Sequence, residues 1–366
     1  MTTTLRGTAV TARVGMALGV AIGICFVTGL ISHFLQHPQP WFVWPTRPVW
    51  LYRFTQGLHV ASGIAAIPLA VVKLWSVWPK LFERPVIGGP LRQAERLSIL
   101  VLVGAVLFEL STGLLNIAQW YAFRFFFTTA HYAVAYVAAG AVLVHVAVKL
   151  PVIRAAFDTP LEPRTDAAAG PTRRTVLYGT GLAVALATLA TVGQAVPLLR
   201  RVSVLAPRSG QGPQGVPVNR SALAAGVLRS AQSRDYRLTV VNGATVRAFT
   251  LAELEQLPQA THRLPIACVE GWSVDAEWTG VVLADLVATV GGSPDDDVRM
   301  ISLEPPGPYS RSILPARHAR DAQTLIALRL NGETLDLDHG YPCRLIAPSR
   351  PGVLQTKWLS RIEVAG

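Results

Sequence analysis

Five stretches of this chain, running approximately from Val14 to Gln36, Tyr52 to Val77, Leu97 to Gln119, Phe125 to Leu150 and Thr175 to Leu198, are long and apolar enough to cross a bilayer. A spanning helix takes about 20 residues. Bare backbone N–H and C=O groups are not tolerated in lipid, so each stretch is expected to be a helix. The first 200 residues are thereby restricted to a five-helix transmembrane bundle. Charged residues are 15% of the chain, against roughly 25% in ordinary soluble domains. A purely soluble, fibrous or disordered protein is excluded. The first stretch is longer than the core of a signal peptide and no small-residue cleavage site follows it.

The formal charge is +11, of which +10 lies in residues 1–200 and +1 in residues 201–366. The basicity belongs to the apolar half, where membrane topology accounts for it. No soluble basic face remains for nucleic acid, and none is expected as a partner. Arg6 and Arg13, then Lys80, Arg84, Arg92 and Arg96, then Arg154, Arg164, Arg173 and Arg174 flank the spans on one side. The other side has only Arg47 and Arg124, with Arg53 at a span edge. By the positive-inside rule the amino terminus is cytoplasmic, and five crossings put everything after Leu198 outside a cell membrane.

The domain boundaries follow. Residues 1–150 form a four-helix membrane domain, and residues 151–200 a cytoplasmic loop and the fifth helix. Residues 201–218 are a Gly- and Pro-rich tether, and 219–366 an extracytoplasmic domain. In that domain Asn242-Gly243 and Asn331-Gly332 predict hairpins. Helical patterns at Leu251–Leu257 and Val281–Val290 alternate with apolar strands at Leu264–Val269 and Arg344–Ile346. The mixture predicts an α+β fold. Cys25, Cys268 and Cys343 are too few and scattered for a disulfide framework.

Histidines within apolar spans are rare and usually functional. His59 stands six residues past Arg53 and His131 seven past Arg124, placing both about 10 Å below the outer boundary. Two neutral imidazoles at one depth are what a six-coordinate haem iron requires. No C-x-x-C-H occurs, so the haem would be b-type. His145 follows His131 by fourteen residues, on the same helix face and about 21 Å deeper. It is the candidate for a second haem, for which no partner histidine is evident. Hydrogen bonding between helices is the alternative for all three. Gly57 and Gly63, beside His59, would admit either a porphyrin or a neighbouring helix. Glu109, mid-span, would either relay protons to a quinone or bond across helices.

On the outer histidine pair and the fourteen-residue spacing, residues 14–150 resemble the four-helix b-type cytochrome subunits of bacterial respiratory enzymes, such as the formate dehydrogenase gamma subunit. The resemblance implies electron exchange with quinone or quinol. The absent fourth inner histidine departs from the two-haem pattern.

In the second half Cys268 lies in the run Cys-Val-Glu-Gly-Trp-Ser, followed by Trp278-Thr-Gly280. A lone cysteine is by itself more often a core residue. Further on come Gly340, Pro342, Arg344, Leu345, Ile346 and Pro348, then Gly352 and Lys357. In this order the three motifs resemble the sulfite oxidase family's molybdopterin-binding fold, and within it the catalytic subunit of periplasmic methionine-sulfoxide reductases. The resemblance implies that Cys268 is the protein ligand to molybdenum with Glu270 near the metal. It implies that Arg344 and Lys357 hold the pterin phosphate, helped by Thr356 and Gly352, and that His339 stands at a cofactor-contacting position. Thr172-Arg173-Arg174-Thr175 resembles a twin-arginine export signal, the alternative being two arginines that obey the positive-inside rule.

The combined expectation is a membrane molybdenum oxidoreductase. It would pass electrons between the quinone pool and an outer molybdopterin site through haem b, reducing a small S-oxide or N-oxide by oxygen-atom transfer. The same parts run backwards would make a dehydrogenase. A cofactor-free binding module on a membrane anchor is the non-enzymatic alternative.

Overall fold

The five apolar runs form helices because no other structure pairs all their backbone groups locally. In the computed structural model they are α1 (Thr8–Gln36), α2 (Leu51–Leu81), α3 (Pro90–Ile117), α4 (Phe127–Asp158) and α5 (Arg173–Thr191). All five are long and apolar enough to cross a membrane, with mean hydropathies of 1.7 to 2.3 in their most apolar windows. The structure describes residues 5–83, 88–158, 172–206, 212–293 and 295–365. Arg84, Arg164 and the middle of the tether fall outside them. The chain divides into two units, Met1–His33 with Gly57–Pro207, and Phe34–Gln56 with Arg208–Gly366.

In the first unit α2 is the central helix: 39% of its apolar window is buried, against 6 to 17% for the others. Val10, Val14 and Ala21 of α1 pack on Ala66 and Leu69 of α2. Val60 and Ile64 of α2 meet Val192 and Ala195. A Cβ on Gly57 would lie 3.2 Å from the Ala195 carbonyl oxygen, so that glycine serves close backbone approach. The fifth helix is shorter than expected. It ends at Thr191 and continues as 3-10 turns at Val192–Gln194 and Pro197–Leu199. Gly193 donates its N–H to Ser203 Oγ (2.8 Å), and Pro197 has no N–H to extend the helix. At the other end Thr172 caps α5 by accepting from the Thr175 N–H (3.1 Å).

The second unit is built on two five-stranded sheets. One has the order β2-β1-β10-β5-β6, from β1 (Leu238–Asn242), β2 (Thr245–Phe249), β5 (Asp297–Ser302), β6 (Arg311–Leu314) and β10 (Leu359–Ala365). The other runs β3 (Gln259–Ala267), β4 (Ser273–Val282), β7 (Leu325–Leu330) and β8 (Glu333–Thr334), with β9 (Arg344–Ile346) on β7. Among the described residues β1 and β10 form the only parallel strand pair, beside a single parallel bridge between Ala267 and Pro351. The main core joins Leu238, Met300 and Ile362 of the first sheet to Val281, Ile326 and Leu345 of the second. Short helices fill the connections: α6 (Leu228–Ala231), α7 (Leu251–Gln256), α8 (Leu283–Ala288) and α9 (Ala316–Ala319).

Both Asn-Gly pairs turn hairpins, β1–β2 and β7–β8. At the second, Asn331 and Gly332 have φ of 51° and 84°, the conformation a type I′ turn demands. The helical pattern predicted from Val281 shrinks to Leu283–Ala288, because Val281 and Val282 pair with Ile326 and Leu325 and stay in β4.

The second unit also takes in Phe34–Gln56, which the sequence reading left with the membrane half. Trp44 Nε1 donates to the Ser349 carbonyl (2.9 Å), and Arg47 Nη2 to Asp321 Oδ1 (2.9 Å). Arg53 grips both oxygens of Asp275, and Gln56 Nε2 donates to the Val269 carbonyl (3.4 Å). This segment is a strap across the domain, ending one residue from Cys268.

Candidate functional site

Strand β3 stops at Ala267 because the chain reverses there. The Cys268 N–H donates to the Trp272 carbonyl (2.8 Å) and the Gly271 N–H to the Cys268 carbonyl (3.1 Å). Gly271 supplies the left-handed φ of 82° that closes the turn, a conformation costly for other residues. The turn leaves Cys268 buried. Asn219 Nδ2 approaches its Sγ at 3.8 Å. Trp272 Nε1 donates to Glu270 Oε2 (3.3 Å), fixing that carboxylate beside the turn. Gly352 lies under the end of β3, where a Cβ would stand 3.0 Å from the Ala267 carbonyl oxygen.

Beside this turn lie three buried cations. Arg344, at the start of β9, donates to the carbonyls of His339 (3.0 Å) and Gln355 (3.1 Å) and stacks over the Trp278 ring at 5.1 Å. Its Nε has no partner. Lys357 Nζ donates to the carbonyls of Asp338 (2.7 Å) and Arg220 (3.0 Å). Arg350 donates to the carbonyls of Ile313 (2.6 Å) and Leu354 (3.3 Å). Gly340, with φ of 109°, lets Arg344 and Lys357 converge: a Cβ there would lie 3.1 Å from the Cβ of each. Among the described residues none of the three cations forms an ion pair. Arg344 and Arg350 have only dipoles around them, a placement that costs several kcal/mol, and together with Lys357 this donor set fits an anion such as a phosphate monoester.

Burial, and after it the Arg344 charge, pushes Lys357 down to about 7, while Asp338, Cys268 and Glu304 pull the other way. Burial lowers Arg344 to about 9, leaving it charged at neutral pH. The sign for stability follows. Between the ordinary lysine value of 10.5 and about 7 the unfolded chain takes up a proton that the folded chain refuses. The cofactor-free protein is expected to lose stability as pH falls through that window and to change no further from this group below it. Lys357→Met should flatten the slope in denaturant melts of the cofactor-free, full-length protein at a series of pH values.

His339 is buried and lowered to about 4, first by burial and then by Arg344. The neutral ring donates from Nε2 to the Pro213 carbonyl (2.8 Å), tying the tether to the domain. Thr356 Oγ1 lies 2.7 Å from Ser312 Oγ, and its carbonyl accepts from the Leu345 N–H (2.9 Å).

Next to these groups opens a cavity of about 430 Å³ between Arg220–Gly226 and Glu304–Tyr309. Burial raises the Tyr309 phenol; Arg220 opposes that shift, and Cys268, Glu270 and Glu304 are close enough to add to it. Asn219, Arg220, Glu304 and Tyr309 were absent from the sequence reading. They come from segments flanking the recognised motifs, and none carries a spacing that marks it.

In the helical unit the His59 and His131 rings lie edge to face, with centroids 6.4 Å apart and planes at 69°. An imidazole–metal–imidazole sandwich with bonds of about 2 Å spans about 6 Å between ring centres. Thr28 Oγ1 donates to the Ile24 carbonyl (2.6 Å), so it accepts from His59 Nδ1 (3.1 Å); the Cys25 carbonyl also faces that nitrogen (3.0 Å). Thr112 Oγ1 donates to the Phe108 carbonyl (2.7 Å) and accepts from His131 Nδ1 (3.0 Å). Both rings are thereby held with the proton on Nδ1 and the lone pair on Nε2, the tautomer of metal-ligating histidine. Glu109 Oε2 lies 3.1 Å from His131 Nε2, so the carboxyl bonds across α3 and α4. The glycines against the two imidazoles are Gly29 and Gly113. His145 stands apart, within electrostatic reach of Lys73. Lys73 follows His59 by the same fourteen residues that separate His145 from His131.

Residues 225–366 match the family described as oxidoreductase molybdopterin binding domain. The match places a molybdopterin-binding oxidoreductase domain in the second unit, and the relatives to which the chain is similar include sulfite oxidases. The chain is 32% identical over 157 residues to the mitochondrial sulfite oxidase of Drosophila melanogaster, covering 36% of this chain and 27% of that one. It is 31% identical over 138 residues to a putative protein-methionine-sulfoxide reductase subunit, YedZ1, of Azospira oryzae, covering 37% of this chain and 52% of that one. With the sulfite oxidase of Arabidopsis thaliana it shares 35% identity over 112 residues, 26% of this chain and 28% of that one. The chain thus spans between 27 and 52% of the length of these relatives.

Proposed function

We propose that the chain is a multi-pass membrane oxidoreductase that passes electrons between quinone and an extracytoplasmic molybdopterin site through one b-type haem, reducing a small S-oxide or N-oxide. The observation that carries the reading is the set of buried cations without counter-ions beside Cys268. Arg344 and Lys357 would hold the pterin phosphate, using donors now turned to carbonyls and the unpartnered Arg344 Nε. Cys268 would bind molybdenum through its thiolate, a soft ligand suited to that metal, while Asn219 steadies the sulfur. Bound there, the cofactor supplies two-electron oxygen-atom chemistry. Glu270 and Tyr309 line the approach, and the turn at Gly271 keeps the sulfur away from bulk water. His339 and Gly352 act on the walls, the first through the tether and the second by admitting the Pro351–Leu354 segment.

In the helices His59 and His131 would hold the haem, their Nδ1–H groups oriented by Thr28, Cys25 and Thr112. For His131 this requires Glu109 to release Nε2. Lys73 in the inner position supports a count of one haem. The basic flanks support a cytoplasmic amino terminus, and Arg173-Arg174 suits an export route for a domain loaded before crossing.

Reduced-minus-oxidised spectra of the purified holoenzyme are expected to show b-type bands. His59→Ala and His131→Ala should each abolish them while molybdenum content stays constant. Thr112→Val should lower haem retention by about 10- to 100-fold, the usual effect of losing a partner behind a ligand. Wild-type protein without b-type bands would overturn the membrane half of the reading, and wild-type protein without molybdenum the other half.

A further inference from the structure

We propose that Glu304 sets the specificity of the cavity by cancelling the charge of Arg220, so that the site admits uncharged oxides and turns away oxyanions. The inference rests on the reading of this cavity as the substrate's approach to Cys268. Arg220 precedes the residues matched by the molybdopterin-binding family, 225–366, and lies just past the tether. Its carbonyl is fixed by Lys357 Nζ at 3.0 Å, and its guanidinium lies over the Tyr309 ring at 5.5 Å. Its Nε stands 2.9 Å from Glu304 Oε2, where the Arg220 side chain is 39% exposed and that of Glu304 only 6%. The Nε–H is not aimed along a hydrogen-bond line; burial raises the Glu304 carboxyl, while the charges of Arg220 and Lys357 and a hydrogen bond from the Arg220 side chain oppose that.

Exposed ion pairs contribute little to stability, about 1 kcal/mol or less, and a purely structural pair would belong on the surface. This one is sunk into a cavity wall. The other side chains of the lining are small or apolar, from Leu223, Ala224 and Ala225 on one side to Pro305, Pro306 and Pro308 on the other. Within the lining one cation faces one carboxylate, which Lys357 also reaches electrostatically, and the Arg220 N–H groups and the Tyr309 hydroxyl are donors. A neutral S=O or N–O oxygen finds those donors without having to displace a carboxylate. A sulfate or sulfite dianion finds the Glu304 carboxylate first, and like charges at close range exclude the wrong partner.

The test is calorimetric titration of sulfate into the full-length holoenzyme, alongside sulfate inhibition of dimethyl sulfoxide reduction. Glu304→Gln is expected to bind sulfate about tenfold or more tightly than the wild type, the gain from one charge-assisted contact. The double variant Arg220→Gln/Glu304→Gln should lose that gain. Should Glu304→Gln fail to load molybdenum, Glu304→Asp, which draws the carboxylate back by one methylene, should show intermediate affinity. Equal sulfate affinity in the wild type and the Glu304 variants, or a gain that survives loss of Arg220, would overturn the proposal. If the wild type reduces no oxide, the proposed reaction fails, while the calorimetry still decides the role of Glu304 because it needs no turnover.

Discussion

Replacing Arg344 with methionine is expected to strip the second unit of molybdopterin while leaving its fold nearly unchanged in stability. The guanidinium is fully buried, with two carbonyl acceptors and an orphaned Nε. Two charge-assisted hydrogen bonds to a phosphate are worth enough that their loss weakens retention by about a hundredfold or more. The cofactor-free domain is affected by two opposing changes. Removing a buried unpaired charge relieves several kcal/mol, whereas the carbonyls of His339 and Gln355 lose their donor at about 1–3 kcal/mol each. These nearly offset, and the net change is expected within about 2 kcal/mol. Pterin and molybdenum content, measured beside denaturant melts of the cofactor-free protein, separates this outcome from general unfolding. Full cofactor content in Arg344→Met would mean that the anion is held elsewhere.

Cys268→Ala should give the complementary result. The side chain is small and its neighbours are fixed by the turn between Ala267 and Ser273, so the fold survives. Pterin remains, because Arg344 and Lys357 are intact. Turnover is expected to fall by on the order of 10³ or more, as for loss of a group that belongs to the reacting centre. Fluorescence of the acid-released pterin and steady-state assays of the same preparation check both halves. Appreciable turnover in this variant would remove Cys268 from the metal.

The contrast between what sequence revealed and what it concealed has a physical pattern. The five helices were legible because lipid-compatible length and hydropathy are local properties. The end of α5 was misjudged because a single buried glycine, Gly193, stops it by pairing with Ser203. Cys268, Arg344 and Lys357 were legible as ordered motifs, since each sits in a short run whose backbone shape it shares. Asn219 was not, because its approach to the sulfur spans 49 residues of chain and leaves no periodic trace. Glu304 and Tyr309 lie in a proline-rich stretch that reads as an ordinary loop. The segment from Trp41 to Trp50 falls within residues assigned to the membrane domain, and no local pattern marks the hydrogen bonds of Trp44 and Arg47 to Ser349 and Asp321.

That strap makes the catalytic unit discontinuous in the order of synthesis. Trp44 leaves the ribosome about 300 residues ahead of Ser349, the partner its indole awaits. Synthesis must therefore pass Ser349 before the fold can close, and a gene fragment opening at the tether encodes a body with one side uncovered.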